Sequence, residues 1–246
     1  MNHFTIIITG YNVEKWINQC LESALKQNYK NFDVIFIDAE STDQTNNIVK
    51  DYCNKYSNLK LIRNEKRKYQ IENIKIGCLN AKDNSICVSL DGDDWLKNEN
   101  VLNVLNNVYS DDIWMTYGLY ENFPFTRDIS NLYYPYPNEV IINNAFRKYN
   151  FLASHLRTWR KELFLKINDS DLQDEYGKYF EMTGDVAIMI PMLEMAGIHS
   201  IHIHEVLYVY NGTNPISDHL VDQTKQIETD KIIRGRTVYN KLEKLN

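Results

Sequence analysis

The chain lacks most of the features that would assign it quickly. No apolar run approaches the ~18 residues needed to cross a bilayer, so no integral membrane segment is predicted. Strand-like sequence begins at Phe4, which leaves no room for a signal-peptide core ahead of it; a soluble, cytoplasmic protein is expected. No basic stripe is present. The formal charge is −6, and the one basic run, Lys66-Arg67-Lys68, reads as a solvated loop, so nucleic acid is not an expected partner. The four cysteines, Cys20, Cys53, Cys78 and Cys87, have neither CxxC spacing nor nearby histidines. They fall at apolar-face positions and read as buried free thiols in a reducing compartment. Repeats and low-complexity tracts are absent.

What is present is an alternation. Residues 4–8, 33–38, 59–62 and 86–90 are short apolar runs without period-two patterning, as expected of strands covered on both faces. Between the first two, Asn12 reads as an N-cap, and Val13, Trp16, Ile17, Cys20, Leu21, Ala24 and Leu25 keep helical spacing. Ser41-Thr42-Asp43-Gln44 has capping-box form ahead of a second stripe through Thr45, Ile48, Val49, Tyr52, Cys53 and Tyr56, and 70–82 suits a third helix. Four strands separated by helices in about 90 residues predict a βαβ series with a parallel sheet.

Two of those strands end on acids, where ligands bind in such sheets. In ICVSLDGDDWL (86–96), Asp91, Asp93 and Asp94 fall within four residues. At ~4 Å and an effective dielectric of ~20, each pair repels by roughly 4 kcal/mol. A divalent cation removes that penalty, and Asp-x-Asp offers hard oxygens to Mg²⁺ or Mn²⁺. An Asp-Gly turn capping the next helix explains the composition equally well. Asp38 ends the second strand. Because Ser41 and Thr42 are available as caps, Asp38 is expected to be free for a base or ribose.

The second half is less regular. A helix is expected over 101–108 and a strand over 113–117, after which 118–138 reads as an aromatic, proline-bearing loop (Phe123-Pro124-Phe125, Tyr133-Tyr134, Pro135-Tyr136-Pro137). Such a loop suits either a sugar or acceptor or a packed surface excursion. HLRTWRKELF (155–164) is expected to pass from extended chain into a helix at Lys161, 186–196 to form a buried helix kinked at Pro191, and 201–210 a strand. Residues 217–245 suit one long helix or two. His155, Arg157 and Arg160 form a positive group, and His202 and His204 share a face with Ser200.

IIITGYN (6–12), CLESALKQNYKNFDVIFIDAESTDQT (20–45) and SLDGDDWL (89–96), in that order and strand context, resemble the nucleotide-binding half of family 2 glycosyltransferases over about 100 residues. TGDVAIMIPMLEMAG (183–197) is similar to that family's acid-bearing helix start, and LYVYN (207–211) to its closing strand. HLRTWRKELF and LYVYNGTNPISDH also look like a subgroup found in bacteria and large DNA viruses. The resemblance implies an α/β, GT-A (Rossmann-like) fold, with a mostly parallel central sheet flanked by helices, a C-terminal acceptor-side region and a terminal helix. Residues 1–117 would bind the nucleotide sugar, 118–216 the acceptor and the base, and 217–246 would form a helical extension. It also implies a metal-dependent, inverting transfer from a nucleoside-diphosphate sugar, a UDP-sugar being favoured, to a glycan or protein hydroxyl.

Carried over by position, Thr9, Tyr11 and Asp38 would contact the nucleotide, Asp91 the ribose and metal, and Asp93 the metal, Mn²⁺ or Mg²⁺. Asp185 would be the general base, since a neutral hydroxyl is a poor nucleophile. Arg157 or His155 would supply a cation near the diphosphate. Two departures stand out. The family's Asp-Asp-Gly is here Asp38-Ala39-Glu40, and Glu40 lacks the freedom of glycine. The acid pair before the last helix is here Gly184-Asp185, with Glu181 a substitute four residues earlier and Thr183 an alternative helix cap. A sugar-nucleotide pyrophosphorylase would carry a Gly-rich, Arg- and Lys-bearing loop after the first strand, which Thr9-Gly10-Tyr11-Asn12 does not supply. A degenerate module that binds nucleotide sugar without turnover is the other rival.

Overall fold

The structure is a computed structural model that describes residues 1–125, 134–215 and 222–245. The expected βαβ series is present: β1 (Phe4–Gly10), α1 (Ile17–Leu25), β2 (Phe32–Asp38), α2 (Thr45–Cys53), β3 (Leu59–Arg63), α3 (Gln70–Asn80) and β4 (Ile86–Asp91). These four strands pair in parallel in the order β3-β2-β1-β4. Their runs are apolar on both faces because both faces are covered. Ile6 and Ile8 join the cluster holding α1 and α2, while Ile7 joins the one holding α3. All four cysteines are free; Cys20, Cys78 and Cys87 are buried and Cys53 is half-buried.

Asn12 is not the helix cap. Helix α1 starts at Ile17, and Asn12 takes a left-handed φ of 54° so that its Oδ1 accepts from the Thr42 N–H at 2.8 Å. That bond ties the loop after β1 to the loop after β2.

The second half extends the same sheet. It contributes β5 (Trp95–Leu96), α4 (Val101–Val108), β6 (Met115–Phe123), α5 (Asn138–Ile142), β7 (Arg157–Arg160), α6 (Lys161–Phe164), α7 (Gly184–Ala196), β8 (Ser200–Asn211) and α8 (Gln223–Arg234). The full order is β3-β2-β1-β4-β7-β6-β8-β5. β7 runs antiparallel to both β4 and β6, and β6 and β8 are parallel to each other. The sheet is therefore mixed, parallel through its first four strands. The expected division at residue 117 falls inside β6, so the sheet passes through it unbroken.

Three expectations for this half need correction. Residues 118–123 continue β6 rather than forming a loop, and Tyr136 is core, 3% exposed and edge-on to Tyr117 and Phe146. Tyr133 and the rest of 126–133 lie outside the described residues, as do 216–221. The terminal helix is only α8. Residues 235–245 are irregular, yet Leu245, Tyr239 and Leu242 still join the core beneath α7. That segment is held by a bidentate ion pair from Arg147 Nε and Nη2 to Glu194 (2.7 and 2.9 Å), both side chains almost wholly buried. Arg147 also donates to the Ile233 carbonyl, and the Tyr239 N–H donates to Glu194.

Helix α7 is apolar on every side, and every one of its residues except Asp185 is buried. Pro191 sits inside it, and the helix continues to Ala196.

Candidate active site

The carboxyl ends of β1 and β4, the start of α3 and the start of α7 enclose a cleft of ≈ 290 Å³. Its floor depends on a close approach. Thr9 lies in register with Asp91, and the Gly92 N–H donates to the Thr9 carbonyl at 2.9 Å. A Cβ on Gly92 would lie 3.1 Å from that oxygen and 3.2 Å from the Gly10 Cα, so any side chain there would press on the backbone of β1.

The three acids of the SLDGDDWL stretch divide their roles. Asp91 lines the cleft, accepting from Gln70 Nε2 at 3.0 Å; burial, and then the Asp93 charge, push its carboxyl up to about 6. Asp93 also lines the cleft and accepts from Asn214 Nδ2 at 2.6 Å. Asp94 is turned inward, 1% exposed, accepting from the Tyr208 hydroxyl (2.5 Å) and the Asn211 N–H (2.7 Å). Burial and its two acidic neighbours hold Asp94 well above the usual carboxylate range. Asp94 thus fastens the turn to β8 while still bordering the cleft, and the expected capping of the next helix is not seen, since Asn100 stands at the cap position of α4.

At the other end, Thr9 and Tyr11 are on the wall as expected. The Arg67 guanidinium lies 3.4 Å from the centre of the Tyr11 ring, and its Nη1 donates to the Ala39 carbonyl. Arg67 and Lys68 are therefore cleft residues rather than a solvated run. Asp38 is the clearest correction. It is fully buried and absent from the cleft wall; its carboxylate accepts from the Ser41 N–H (2.8 Å) and Asn46 Nδ2 (3.0 Å) and pairs with Arg63 (3.5 Å). Ser41 is not available for capping because its hydroxyl accepts from the Asn12 N–H. Glu40 takes a φ of 72° despite its side chain, so the backbone keeps a glycine-like turn.

Across the cleft, Asp185 is the one residue of α7 that is not buried, and Gly184 beside it also lines the cleft. Its Oδ2 accepts from Arg157 Nη2 at 2.9 Å and its Oδ1 from the Val186 N–H at 2.9 Å. Thr183 does not cap the helix; its hydroxyl donates to the Gln226 carbonyl. Arg157 lines the cleft but is held by Asp185 and by the Ala153 carbonyl, so it braces the acid. His155 stacks on Tyr208 with ring centres 4.2 Å apart, and burial, then the Arg157 charge, hold its imidazole well below the usual range. It is a neutral wall, not a second cation. Glu181 also reaches the cleft, where it is paired with Lys225.

Three residues of the positive and histidine groups lie elsewhere. Arg160 donates to the Ser110 and Ile113 carbonyls. His204 is exposed, whereas His202 is 8% exposed with neither ring nitrogen partnered, and burial, then His204, push it down to about 4. Sequence reasoning missed Gln70, Tyr208, Asn211 and Asn214. The LYVYNGTN stretch marks a strand and its end but not which of Tyr208, Asn211 and Asn214 meet an acid, because each acts through a carboxylate distant in the chain.

The donor set suits a hard divalent cation. Asp91 and Asp93 line the cleft side by side, and a bound cation would offset both the burial and the neighbouring Asp93 charge that lift the Asp91 carboxyl. Among the described residues no three of His, Cys, Asp or Glu come together as a cage. Mg²⁺-like ions fit such a site, since they bind through one or two carboxylates and complete their shell with phosphate and water.

A family model described as glycosyl transferase family 2 matches residues 5–167. The chain is 39% identical over 85 residues to a dolichyl N-acetyl-alpha-D-glucosaminyl phosphate 3-beta-D-2,3-diacetamido-2,3-dideoxy-beta-D-glucuronosyltransferase of Methanococcus voltae, covering 33% of this chain and 26% of that protein. It is 22% identical over 214 residues to the glycosyltransferase GlyA of Streptococcus pneumoniae, covering 84% and 30%. It thus spans about a quarter to a third of those relatives' lengths. Among solved structures, S. aureus TarS 1–349 in complex with UDP superposes with a TM-score of 0.64 at 21% identity, over 87% of this chain and 61% of that one. The mannosyltransferase PcManGT of Pyrobaculum calidifontis, in complex with GDP-Man and Mn²⁺, gives 0.63 at 16% identity, over 96% and 66%. The mixed, helix-flanked sheet is the GT-A fold, and with 5–167 matched, this chain belongs to glycosyl transferase family 2.

Proposed function

We propose that this protein moves a sugar from a nucleoside-diphosphate sugar, a UDP-sugar being the first choice, to a hydroxyl of a glycan or protein acceptor, with inversion at the anomeric carbon. The observation that carries this reading is that Asp91, Asp93 and Asp185, from two elements nearly a hundred residues apart, share one cleft with Thr9 and Tyr11. TarS bound to UDP and PcManGT bound to GDP-Man support the donor class.

In this reading Thr9 and Tyr11 take the nucleotide, and Asp91 and Asp93 hold Mn²⁺ or Mg²⁺. When bound, that cation offsets the charge of the departing diphosphate. Asp185 removes the acceptor's hydroxyl proton as the oxygen attacks the anomeric carbon. The bond to the diphosphate breaks on the opposite face, which inverts the centre. Arg157 orients Asp185 through the 2.9 Å ion pair. Neutral His155, stacked on Tyr208, adds no charge to compete for the acid. The division of the chain follows: residues 1–117 hold the donor, 118–216 shape the acceptor side and supply the base, and the C-terminal segment buttresses α7.

Binding without turnover is the second reading, favoured by the two hydrogen bonds that already engage Asp185. One set of measurements separates the two. Thermal unfolding against UDP-, GDP-, CDP- and dTDP-sugars with Mn²⁺ should show a rise of roughly 5–10 °C with one donor class at about 100 times Kd. The rise should vanish in EDTA and in Asp93→Asn. Absence of any rise would remove the donor site. A metal-dependent rise with no release of nucleoside diphosphate in the presence of hydroxyl acceptors would select the binding module.

A further inference from the structure

Gln70, the first residue of α3, sends its side chain into the cleft between two elements far apart in the chain. Its Nε2 donates to Asp91 Oδ1 at 3.0 Å, at the end of β4. Its Oε1 lies 2.9 Å from where a Cβ on Gly184 would stand, at the first residue of α7, and Ile71 Cγ1 lies 3.0 Å from the same point. The amide therefore occupies the room that any side chain at 184 would need.

On its other side, Asp91 Oδ2 meets the Tyr208 hydroxyl at 3.4 Å, but that hydroxyl is 2.5 Å from Asp94 and donates its single proton there. Among the described residues, Gln70 thus makes the one short side-chain hydrogen bond to Asp91. An amide suits the position. It fixes the carboxylate without neutralising it, whereas a lysine or arginine would compete with a bound cation.

We propose that Gln70 is a positioning residue for the metal-binding carboxylate: it orients Asp91 toward the cation and ties that orientation to α7, the helix that carries Asp185. The proposal rests on the donor-site reading above and adds to it a residue that acts through Asp91. Partners of this kind hold a ligand's orientation, and their loss costs about 10–100-fold in metal affinity. Gly184 belongs to the same device, because its missing Cβ lets the amide lie where it does.

The experiment is a Mn²⁺ titration of thermal stabilisation in the full chain, with UDP and with GDP as probes. Gln70→Met keeps the side chain's length and removes the donor, and Gln70→Ala opens the space. Both should raise the Mn²⁺ concentration for half-maximal stabilisation about tenfold or more, with the ligand-free Tm close to wild type. Gly184→Ala should raise the Mn²⁺ midpoint on its own by displacing the amide, and should add nothing in the Gln70→Ala background. A packing role alone would lower Tm and leave the midpoint in place. Wild-type midpoints in Gln70→Met and Gln70→Ala, alongside an Asp93→Asn protein that has lost the Mn²⁺ effect, would overturn the proposal and leave the donor-site reading standing. An Asp93→Asn protein that keeps the Mn²⁺ effect would overturn both.

Discussion

The two walls of the cleft are built by different means. On one wall, Thr9, Tyr11, Asp91 and Asp93 all sit within three residues of a strand end in a parallel βαβ sheet, so local chain geometry delivers them. On the other wall, Arg157 comes from an antiparallel strand inserted between β4 and β6, and Asp185 from the one position of α7 that is not buried. The first wall follows from order along the chain; the second follows from what packs against what. Substitutions should therefore act locally on the first wall and through supporting structure on the second.

The sharpest test of that contrast is Asp185→Asn. If Asp185 is the base proposed above, this variant should lower kcat by about 10²–10⁴ while the donor-induced rise in Tm is kept, which separates the walls functionally. A loss of donor binding in this variant would show that they are not separable.

Arg147→Met probes the support of the second wall. It leaves Glu194 buried without its partner and should cost about 3–5 kcal/mol in urea unfolding. A change below about 1 kcal/mol would mean that the C-terminal segment is not anchored through this pair.

Asp38→Asn tests the first wall where the structure departs from expectation. The new amide would face the Asn46 amide as donor against donor, at a cost of about 1–3 kcal/mol, with donor affinity unchanged. A selective loss of nucleotide binding would return Asp38 to the site.

His202 supplies a pH test of the second half alone. Its imidazole is pushed down to about 4 in the folded chain, against an ordinary value near 6.5, so the unfolded chain takes the proton first. Stability present above pH ~6.5 should fall by about 3 kcal/mol as pH drops toward 4, and His202→Phe should flatten that part of the curve relative to wild type.

The smallest effect is expected for Lys225→Ala. Its pair with Glu181 is well exposed on both sides, so stability should change by about 0.2–1 kcal/mol. Turnover in Glu181→Gln should stay near wild type, in contrast to Asp185→Asn; a comparable loss would move the base to Glu181.

The same contrast explains which parts were legible. The four parallel strands, their helices and the acidic strand end were readable because a buried strand needs an unbroken apolar run and a surface helix needs a stripe, and both are local patterns. Helix α7 was readable as buried for the same reason, but nothing in its sequence tells which neighbours enclose it. Asp38 was misread because Ser41 looked available as a cap, and only the fold brings the Asn12 N–H to its hydroxyl across 29 residues. Arg67 looked like a loop cation until the structure laid it over Tyr11. Arg157 lines the cleft as a cation should, but its pairing with Asp185 could not be read from a sequence in which the two lie 28 residues apart. The irregular C-terminal segment carries no periodic signal, and its place in the core depends on Arg147 and Glu194, 47 residues apart.

By itself, then, the sequence determined the βαβ sheet and the carboxyl edge at which Thr9, Tyr11, Asp91 and Asp93 line the cleft. Only the tertiary structure decided which acids stay open to the cleft, which cations brace them and where Gln70 and Gly184 meet. The reason is physical: strand ends and helix stripes are set by neighbours in the chain, whereas the state of a carboxylate is set by the burial and the donors that distant segments bring to it.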